Sequence, residues 1–495
     1  MERSEQEIIR REKLARIRGE RYPYPNDVVV TSSCEKVVAS ANDQAARAEA
    51  ERDVITVAGR IVSVRLMGKA AFFNLQDRSG RLQVYLKRDE VGEEQFELFK
   101  TYDLGDIVEV SGYAFITKTG EPSLHARSAR LLVKCLHPLP EKWHGLTDIE
   151  IRYRQRYLDL IVNPEVQTAF VKRAKIISEI RRFFDARGYI EVETPMMHAV
   201  PGGANARPFV THHNTLDIDL YMRIALELPL KRLLVGGLER VYELSRVFRN
   251  EGMSTEHNPE FTMLEFYEAY SRFEDLMDLT ESLFSQLCLS VNGTSVIEYD
   301  GHQIDLTPPY RRLSMLESIY EVGGVSRSFD LNTIEGVKAA AKSVGLTHVE
   351  DCDDYGVALF ELFDQYVESK LIQPTFITHH PLAISPLARP SQQDGRFTDR
   401  FEMFVSGMEL ANAFSELNDP EDQEQRFIEQ LRAAERGDEE AMGLDRDFVT
   451  ALEYGMPPAA GQGIGIDRLV MLLTGQSSIR DVILFPQMRP VADEV

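Results

Sequence analysis

Cysteine is scarce in this chain. Cys34, Cys135, Cys288 and Cys352 are scattered through 495 residues with no CxxC or CxxH spacing. That pattern excludes a disulfide framework and a thiolate zinc site, and it is the thiol usage of a reducing compartment. Long apolar runs are missing as well. No stretch approaches the roughly 18 residues of a membrane span, and the opening MERSEQEIIRREK has no apolar signal core, so a cytoplasmic chain with no membrane partner is expected. Positive charge is in deficit, 56 Lys and Arg against 79 Asp and Glu, for a net charge of -23. This is the wrong sign for a protein that coats nucleic acid nonspecifically, and no DNA partner is expected, although local basic patches still permit RNA docking. The glycine series Gly461, Gly463 and Gly465 lacks a GK[ST] ending, which removes a P-loop.

What is present is enough apolar material, 43% of residues, for more than one core. Residues 1–50 read as a helical leader, with a helix over 4–19 stopped by Gly19 and Pro23. Its Arg10, Arg11, Lys13, Arg16 and Arg18 suit either a solvated helix packed loosely on the next domain or a set of phosphate contacts. Residues 51–140 change to five short strands with glycine turns, the pattern of a small closed barrel such as an OB-fold. Arg65, Phe72, Phe73, Gln83 and Tyr85 interleave there, and rings between cations and amides are what unstacked bases require. Alternation sends about half of these side chains into the barrel instead. A linker over 141–160, which includes Trp143, leads to a large domain over 161–495. There a helix over 166–186 carries the stripe Val171, Ala174, Ile177, Ile180 and Phe184, and a second helix is expected over 223–235. His379 and His380 read as surface or loop residues, and the charged helical segment at about 420–458 as a solvated face.

The chemistry concentrates in RNEGMSTEHNPEFTMLEFY, from Arg249 to Tyr267. Arg249 and Glu251 read as one face of a strand. After a turn with Asn258 and Pro259, a second strand puts Phe261, Met263, Glu265 and Tyr267 on a common face. Arginine forks onto phosphates, a ring stacks on a base, and a carboxylate with a phenol holds an ammonium. FTDRFEMFVSGMELANAFSEL reads as a second hairpin turning at Ser406-Gly407, with Glu402 and Glu409 on one face. Two acids facing one spot suit either a solvated surface or a Mg²⁺ bridging phosphates. Asn412, Phe414 and Glu416 fall on the opposite parity, so a single cavity requires a bulge near Leu410 or Ala411.

FRNEG followed by HNPEFT resembles motif 2 of the class II aminoacyl-tRNA synthetases. RGYIEVETPMM, Arg187 to Met197, resembles motif 1, and GIGIDRLVML, Gly463 to Leu472, resembles motif 3. PGGANARPF, ELPLKRL and ANAFSELNDPEDQ narrow the resemblance to the bacterial lysyl-tRNA synthetases of the aspartate, asparagine and lysine subgroup, over about Tyr24 to Pro490. The resemblance implies an α+β chain: a five-stranded OB-fold anticodon domain, then an antiparallel catalytic sheet flanked by helices. It implies a homodimer with tRNA(Lys), L-lysine and ATP as substrates and about three Mg²⁺ per active site. By it, Arg249, His257 and Arg468 are catalytic, and Arg249, Glu251, His257, Asn258, Phe261, Glu402, Gly465 and Arg468 hold ATP. Gly203, Glu227, Arg249, Glu265, Tyr267, Asn412, Phe414 and Glu416 hold lysine, Glu402 and Glu409 hold the metal, and Arg65, Phe72 and Gln83 meet tRNA.

Glu256, Met408 and Gln462 depart from what the resemblance leads one to expect, without removing a ligand residue. Rival readings are an aspartate or asparagine enzyme of the same subgroup, or a non-catalytic RNA-binding scaffold. The first needs a cation or amide-reading groups toward the substrate side chain, whereas Glu227, Glu265 and Glu416 make this pocket acidic. The second needs the loss of Arg249, Arg468, Glu402 or Glu409, and all four are present.

Overall fold

The computed structural model describes residues 3–20, 22–140, 146–435 and 442–490. Trp143, and residues 436–441 within the charged segment, lie outside the described residues. The chain forms two compact units, Met1–Thr147 and Asp148–Val495.

In the first unit, strands β1 (Ile55–Met67), β2 (Ala70–Asp77), β3 (Gly80–Lys87), β4 (Ile107–Ile116) and β5 (Pro122–Val133) close into a barrel of order β1-β2-β3-β5-β4. Period-two alternation decides the faces. Ala71, Phe73 and Leu75 of β2, with Leu82, Val84 and Leu86 of β3, fill the core, so Phe73 is not a ligand residue. Phe72, Asn74, Gln83 and Tyr85 stay on the outer face, half-buried. The leader is more firmly built than the sequence implies. Helix Glu5–Glu20 buries Leu14 and Ile17, and helix Cys34–Ala45 adds Cys34, Val37 and Ala41 to the barrel core. Arg10 is buried and donates to the carbonyls of Leu104 at 3.0 Å and Cys135 at 2.9 Å, while Lys13 pairs with Asp103 at 2.7 Å. Both cations are therefore committed to structure, which leaves Arg16 and Arg18 exposed.

The second unit is organised by an eight-stranded sheet of order β14-β15-β16-β17-β18-β11-β10-β6. Its members are β6 (Ile190–Glu191), β10 (Arg240–Phe248), β11 (Glu260–Ala269), β14 (Arg311–Ser314), β15 (Thr375–Thr378), β16 (Arg400–Val405), β17 (Met408–Ser415) and β18 (Ala459–Gly465). All neighbouring strands from β15 to β10 run antiparallel, and parallel pairs occur only at the two edges. Two small sheets stand apart, β7 (Met197–His198) with β8 (Val210–His213) and β9 (Ile218–Met222), and β12 (Val296–Tyr299) with β13 (His302–Asp305). Helices Pro164–Asp185, Phe273–Asn292 and Ile466–Thr474 cover one face of the large sheet, packing Ile180, Phe184, Leu276, Phe284, Leu469 and Leu472 against Leu264, Phe266, Ala413 and Ile464. Each such burial contributes roughly 1.5–3 kcal/mol, so truncating Phe266 to alanine costs about 3–5 kcal/mol. The opposite face is covered toward its edges, Val241 and Val247 packing with Leu230 and Leu234 and Ile377 and Phe404 packing with Leu359 and Phe363, and its middle is left open for chemistry.

Several sequence expectations shift here. Helix Pro164–Asp185 turns Ile177, Ile180 and Phe184 inward as expected and adds Ile176 and Phe183, but leaves Val171 70% exposed and Ala174 exposed. The second helix begins only at Glu227. His380 is fully buried, not a surface residue. The charged segment is only partly solvated: its helices Pro420–Glu435 and Arg446–Glu453 bury Phe427 and Phe448. Arg426 donates to the carbonyls of Ser385 and Ala388 at 3.1 and 2.8 Å, and Arg232 pairs with Asp445 at 2.7 Å. The segment thus braces the loop and the helix that wall the cavity described next.

Candidate active site

Two rungs of the large sheet lie side by side on its open face. In one, Glu265 of β11, Gly463 of β18, Asn412 of β17 and Glu402 of β16 are successive register partners. In the next, Tyr267, Gly461, Phe414 and Arg400 occupy the same four strands. Glycines in a central strand weaken it, and here they form the floor of a trough walled by an acid and a phenol on one side and an amide and a ring on the other. The resulting cavity, of about 430 Å³, is lined by both rungs together with Gly203, Glu227, Arg249, Glu251, His257, Asn258, Phe261, Glu409, Gly465 and Arg468.

Gly461 shows why the floor is glycine. A Cβ there would lie 2.2 Å from Cε1 of Tyr267 and 2.4 Å from Oε1 of Glu416. Glu416, just past β17, is buried against this floor and is not itself among the cavity-lining residues. Gly203 has φ +90, and a Cβ would come within 3.1 Å of Ala225 and 3.3 Å of Glu227, so its loop lies directly on the start of the Glu227 helix.

The bulge required by the parity of the second hairpin is present. Glu402 pairs with Asn412 and Met403 with Ala411, but Phe404 pairs with Glu409, so Leu410 is an extra residue and Glu409 comes to the same face as Asn412. Ser406 (φ 53) and Gly407 (φ 73) form the tight turn, both in the left-handed region that a two-residue hairpin demands. Arg249 and Glu251 are not on a strand, because β10 ends at Phe248; they begin the loop that returns to β11. Arg249 nevertheless reaches the cavity, its guanidinium 5.2 Å from the Phe261 ring centroid. Arg468 donates to the carbonyl of Glu409 at 2.8 Å and lies 3.1 Å from Nε2 of His257. The side chain of Asn258 donates to the Glu260 carbonyl at 2.6 Å, so it serves the turn as well as lining the cavity.

Charge divides this cavity in two. At one end Glu227, Glu265, Glu416 and Tyr267 converge. Burial, then the neighbouring Glu227, push the Glu265 carboxyl up to about 7, although its Oε1 accepts from Leu226 N and its Oε2 from the Tyr267 hydroxyl, each at 2.9 Å. Burial pushes Glu416 up to about 8. Acids held this unfavourably are an electrostatic invitation to a cation. At the other end Arg249 and Arg468 stand near Glu402 and Glu409, whose carboxyls burial also raises. Burial and the nearby Arg468 lower the pKa of the His257 imidazole.

Among the described residues no group of three or more metal-ligating side chains occurs. Two carboxylates suit an ion that takes most of its oxygens from phosphate and water, as Mg²⁺ does, so Glu402 and Glu409 fit that group. Arg400 already meets Glu402 at 2.5 Å.

Sequence reasoning passed over Lys231, Arg400, and the loop Ile384–Ala388 that closes one side. A buried lysine four residues after Glu227 was visible in ELPLKRL, but its burial was not. Of the departing residues, Met408 is buried in the sheet core, whereas Gln462 and Glu256 line the cavity, the Gln462 side chain also accepting from Thr280 at 2.9 Å.

The barrel has its own rung. Arg65, Phe72, Tyr85, His125 and Tyr113 are successive partners across β1, β2, β3, β5 and β4. Ring centroids are 4.8 Å apart for Phe72 and Tyr85, 5.0 Å for Tyr85 and His125, and 4.9 Å for His125 and Tyr113. Gln83 sits one rung over and donates to Ser123 at 2.8 Å.

Comparison with known proteins places both units. Residues 148–489 match the model of tRNA synthetases class II (D, K and N), and residues 55–132 match that of the OB-fold nucleic acid binding domain. The chain is 56% identical over 453 residues to the lysine--tRNA ligase of Syntrophomonas wolfei subsp. wolfei, covering 92% of each chain. It is 58% identical over 443 residues to that of Moorella thermoacetica, covering 89% of this chain and 90% of the relative. With the lysine--tRNA ligase of Bacillus subtilis it shares 52% over 490 residues, 99% of this chain and 98% of the relative. Fold, motifs and full-length similarity together make this chain a member of the lysine--tRNA ligase family of class II tRNA synthetases.

Proposed function

We propose that this chain ligates L-lysine to the 3′ end of tRNA(Lys) in two steps, with the two rungs of the trough as its amino-acid and phosphate floor. The observation that carries this reading is the convergence of Glu227, Glu265 and Tyr267, with Glu416 buried against them, at one end of a cavity whose other end holds Arg249 and Arg468. An ammonium needs acceptors and a triphosphate needs donors, and the site supplies each at its own end.

In the first step the lysine carboxylate attacks the α-phosphorus of ATP in line, and pyrophosphate leaves. Arg249 gathers the charge developing on the equatorial oxygens, while Arg468 holds the departing end with His257 beside it. Glu402 and Glu409 would hold Mg²⁺, which would supply charge neutralisation on the phosphates. In the second step the 3′-hydroxyl of the terminal adenosine attacks the lysyl carbonyl and AMP leaves. No side chain here must act as a strong base, so positioning carries the rate. The barrel rung headed by Phe72 supplies a stacking platform for the anticodon. The exposed apolar Val171, Ile190, Met197 and Val210 support pairing of two copies through the motif 1 region. Among the described residues no helix is long and apolar enough to cross a membrane.

The test is ATP–pyrophosphate exchange by the purified chain with lysine, aspartate and asparagine in turn, followed by charging of tRNA(Lys). Lysine-dependent exchange and charging are expected. Exchange with aspartate or asparagine in preference to lysine overturns the reading.

A further inference from the structure

Below the trough lies a cation that the two-step chemistry does not use. Lys231 stands one helical turn after Glu227, the spacing that puts both on one helix face, and its side chain is wholly shut off from solvent. Its ammonium is 2.5 Å from Oε1 of Glu227 and pairs with Oε2 of Glu416, which arrives from the end of β17. The Phe414 ring centroid is 5.2 Å away. One ammonium therefore ties the helix that opens the pocket to the strand that closes it.

The charge count gives this pairing a consequence. Glu227, Glu265 and Glu416 are three acids, Tyr267 is a neutral phenol, and Lys231 is the cation among them. Arg400 is the next, acting on Glu227. Both oxygens of Glu265 are spent on Leu226 N and the Tyr267 hydroxyl. Both oxygens of Glu416 are buried without a hydrogen-bond partner, Oε2 meeting Lys231 as an ion pair. Three acids against one resident ammonium leave this end of the pocket with a surplus of acid, and a diamino acid brings ammonium groups to it. Burial drives the Glu227 and Glu416 carboxyls upward and Lys231 opposes it at both. Burial likewise works against the Lys231 ammonium, which its two acids hold above the ordinary lysine value.

We propose that Lys231 is a positioning residue for amino-acid specificity: by tying Glu227 to Glu416 it fixes both carboxylates in place, so that the acidic end of the pocket matches a substrate that brings ammonium groups to it. This rests on the trough being the lysine site. A buried charge that loses its partner either takes up a proton or moves, so removing Lys231 exposes its role through protonation of the acids it holds.

The experiment measures lysine KM and kcat by ATP–pyrophosphate exchange across pH 6.5 to 9 for the full chain, Lys231→Met, Lys231→Gln and Glu416→Gln. Lys231→Met is expected to raise lysine KM at pH 7.5 by at least about tenfold with kcat within about threefold. It should also move the midpoint of the pH-dependent fall in KM upward by about one unit or more. A merely structural role would lower Tm and leave that midpoint in place. Lys231→Gln keeps two N–H donors for the two carboxylates and loses only the charge, so it carries the same test where methionine does not fold. A lysine KM within about twofold of the parent with an unmoved midpoint, while Glu416→Gln does raise KM, overturns the role of Lys231. An unchanged KM in Glu416→Gln as well overturns the pocket reading itself.

Discussion

Glu402 and Asn412 are direct partners across β16 and β17, and the Arg400 guanidinium joins them, Nη2 to Glu402 at 2.5 Å and Nε to Asn412 Oδ1 at 3.1 Å. The acid assigned to the metal and the amide assigned to lysine are therefore held by one side chain. Arg400→Met is expected to disturb both, raising lysine KM and the magnesium concentration for half-maximal exchange, each by about threefold to thirtyfold, because a buried charged partner is lost from each. Movement of only one of the two constants in a folded variant shows that the sites are independent.

Glu409 provides the contrast, since it lies beyond the bulge and is joined to Arg468 instead, at 3.8 Å. Glu409→Gln removes charge from a proposed metal ligand and is expected to lower the exchange rate at least about tenfold and to shift the magnesium titration upward, with lysine KM within about threefold. Superimposable magnesium titrations for variant and parent remove Glu409 from the metal site.

These assignments were legible to different degrees for physical reasons. Alternation in EFTMLEFY puts Glu265 and Tyr267 on one face and Leu264 and Phe266 on the other, and the sheet obeys it. Alternation in MELANAF conflicts with itself unless a residue is extra, and Leu410 is that residue. Neither rule reaches across the chain. That Lys231 would meet Glu416, 185 positions away, depends on how β17 packs against the helix at Glu227, which local pattern does not encode. Val171 misled for a related reason: a helix stripe shows which side is apolar, and Pro164–Asp185 has apolar residues on two sides. In the leader, Arg10 and Lys13 were read as free cations because their acceptors, two backbone carbonyls and Asp103, lie about ninety or more residues on.

The barrel rung yields a prediction separable from catalysis. Phe72→Ala removes one ring from a row spaced at about 5 Å and is expected to weaken cognate tRNA binding by about 1–3 kcal/mol, with lysine-dependent exchange unchanged. Filter binding and exchange on one preparation decide it. Unchanged tRNA affinity makes Phe72 a packing residue of the outer face, held by Tyr85.

The raised acids imply a pH-dependent response to lysine. A carboxyl whose folded pKa is raised binds more protons folded than unfolded, so stability falls as pH climbs from the ordinary value near 4.5 through about 7 for Glu265 and about 8 for Glu416. Bound lysine supplies the missing cation and reverses that loss. The rise in Tm produced by saturating lysine is therefore expected to be larger at pH 8.5 than at pH 6.5, measured by differential scanning fluorimetry. A lysine-induced shift that does not grow over this interval shows that the acids do not titrate within it.

Selection among amino acids follows from the same end of the cavity. Two carboxylates and a phenol satisfy the three donors of an ammonium, and the Phe414 ring flanks the apolar stem. Ornithine is one methylene shorter and leaves its ammonium short of an acceptor. An unpaired buried charged donor costs at least about 1–3 kcal/mol, so ornithine activation is expected to fall by about 10- to 200-fold. Glu416 decides this most directly, because its carboxylate oxygens are buried at this end without a hydrogen-bond partner. Glu416→Gln keeps the shape and loses the charge, so lysine KM should rise strongly and the gap between lysine and the neutral isostere norleucine should narrow. Exchange kinetics of parent and variant across lysine, ornithine, arginine and norleucine measure this. A variant that separates lysine from norleucine as sharply as the parent shows that the discriminating charge lies elsewhere in the pocket, on Glu227 or Glu265.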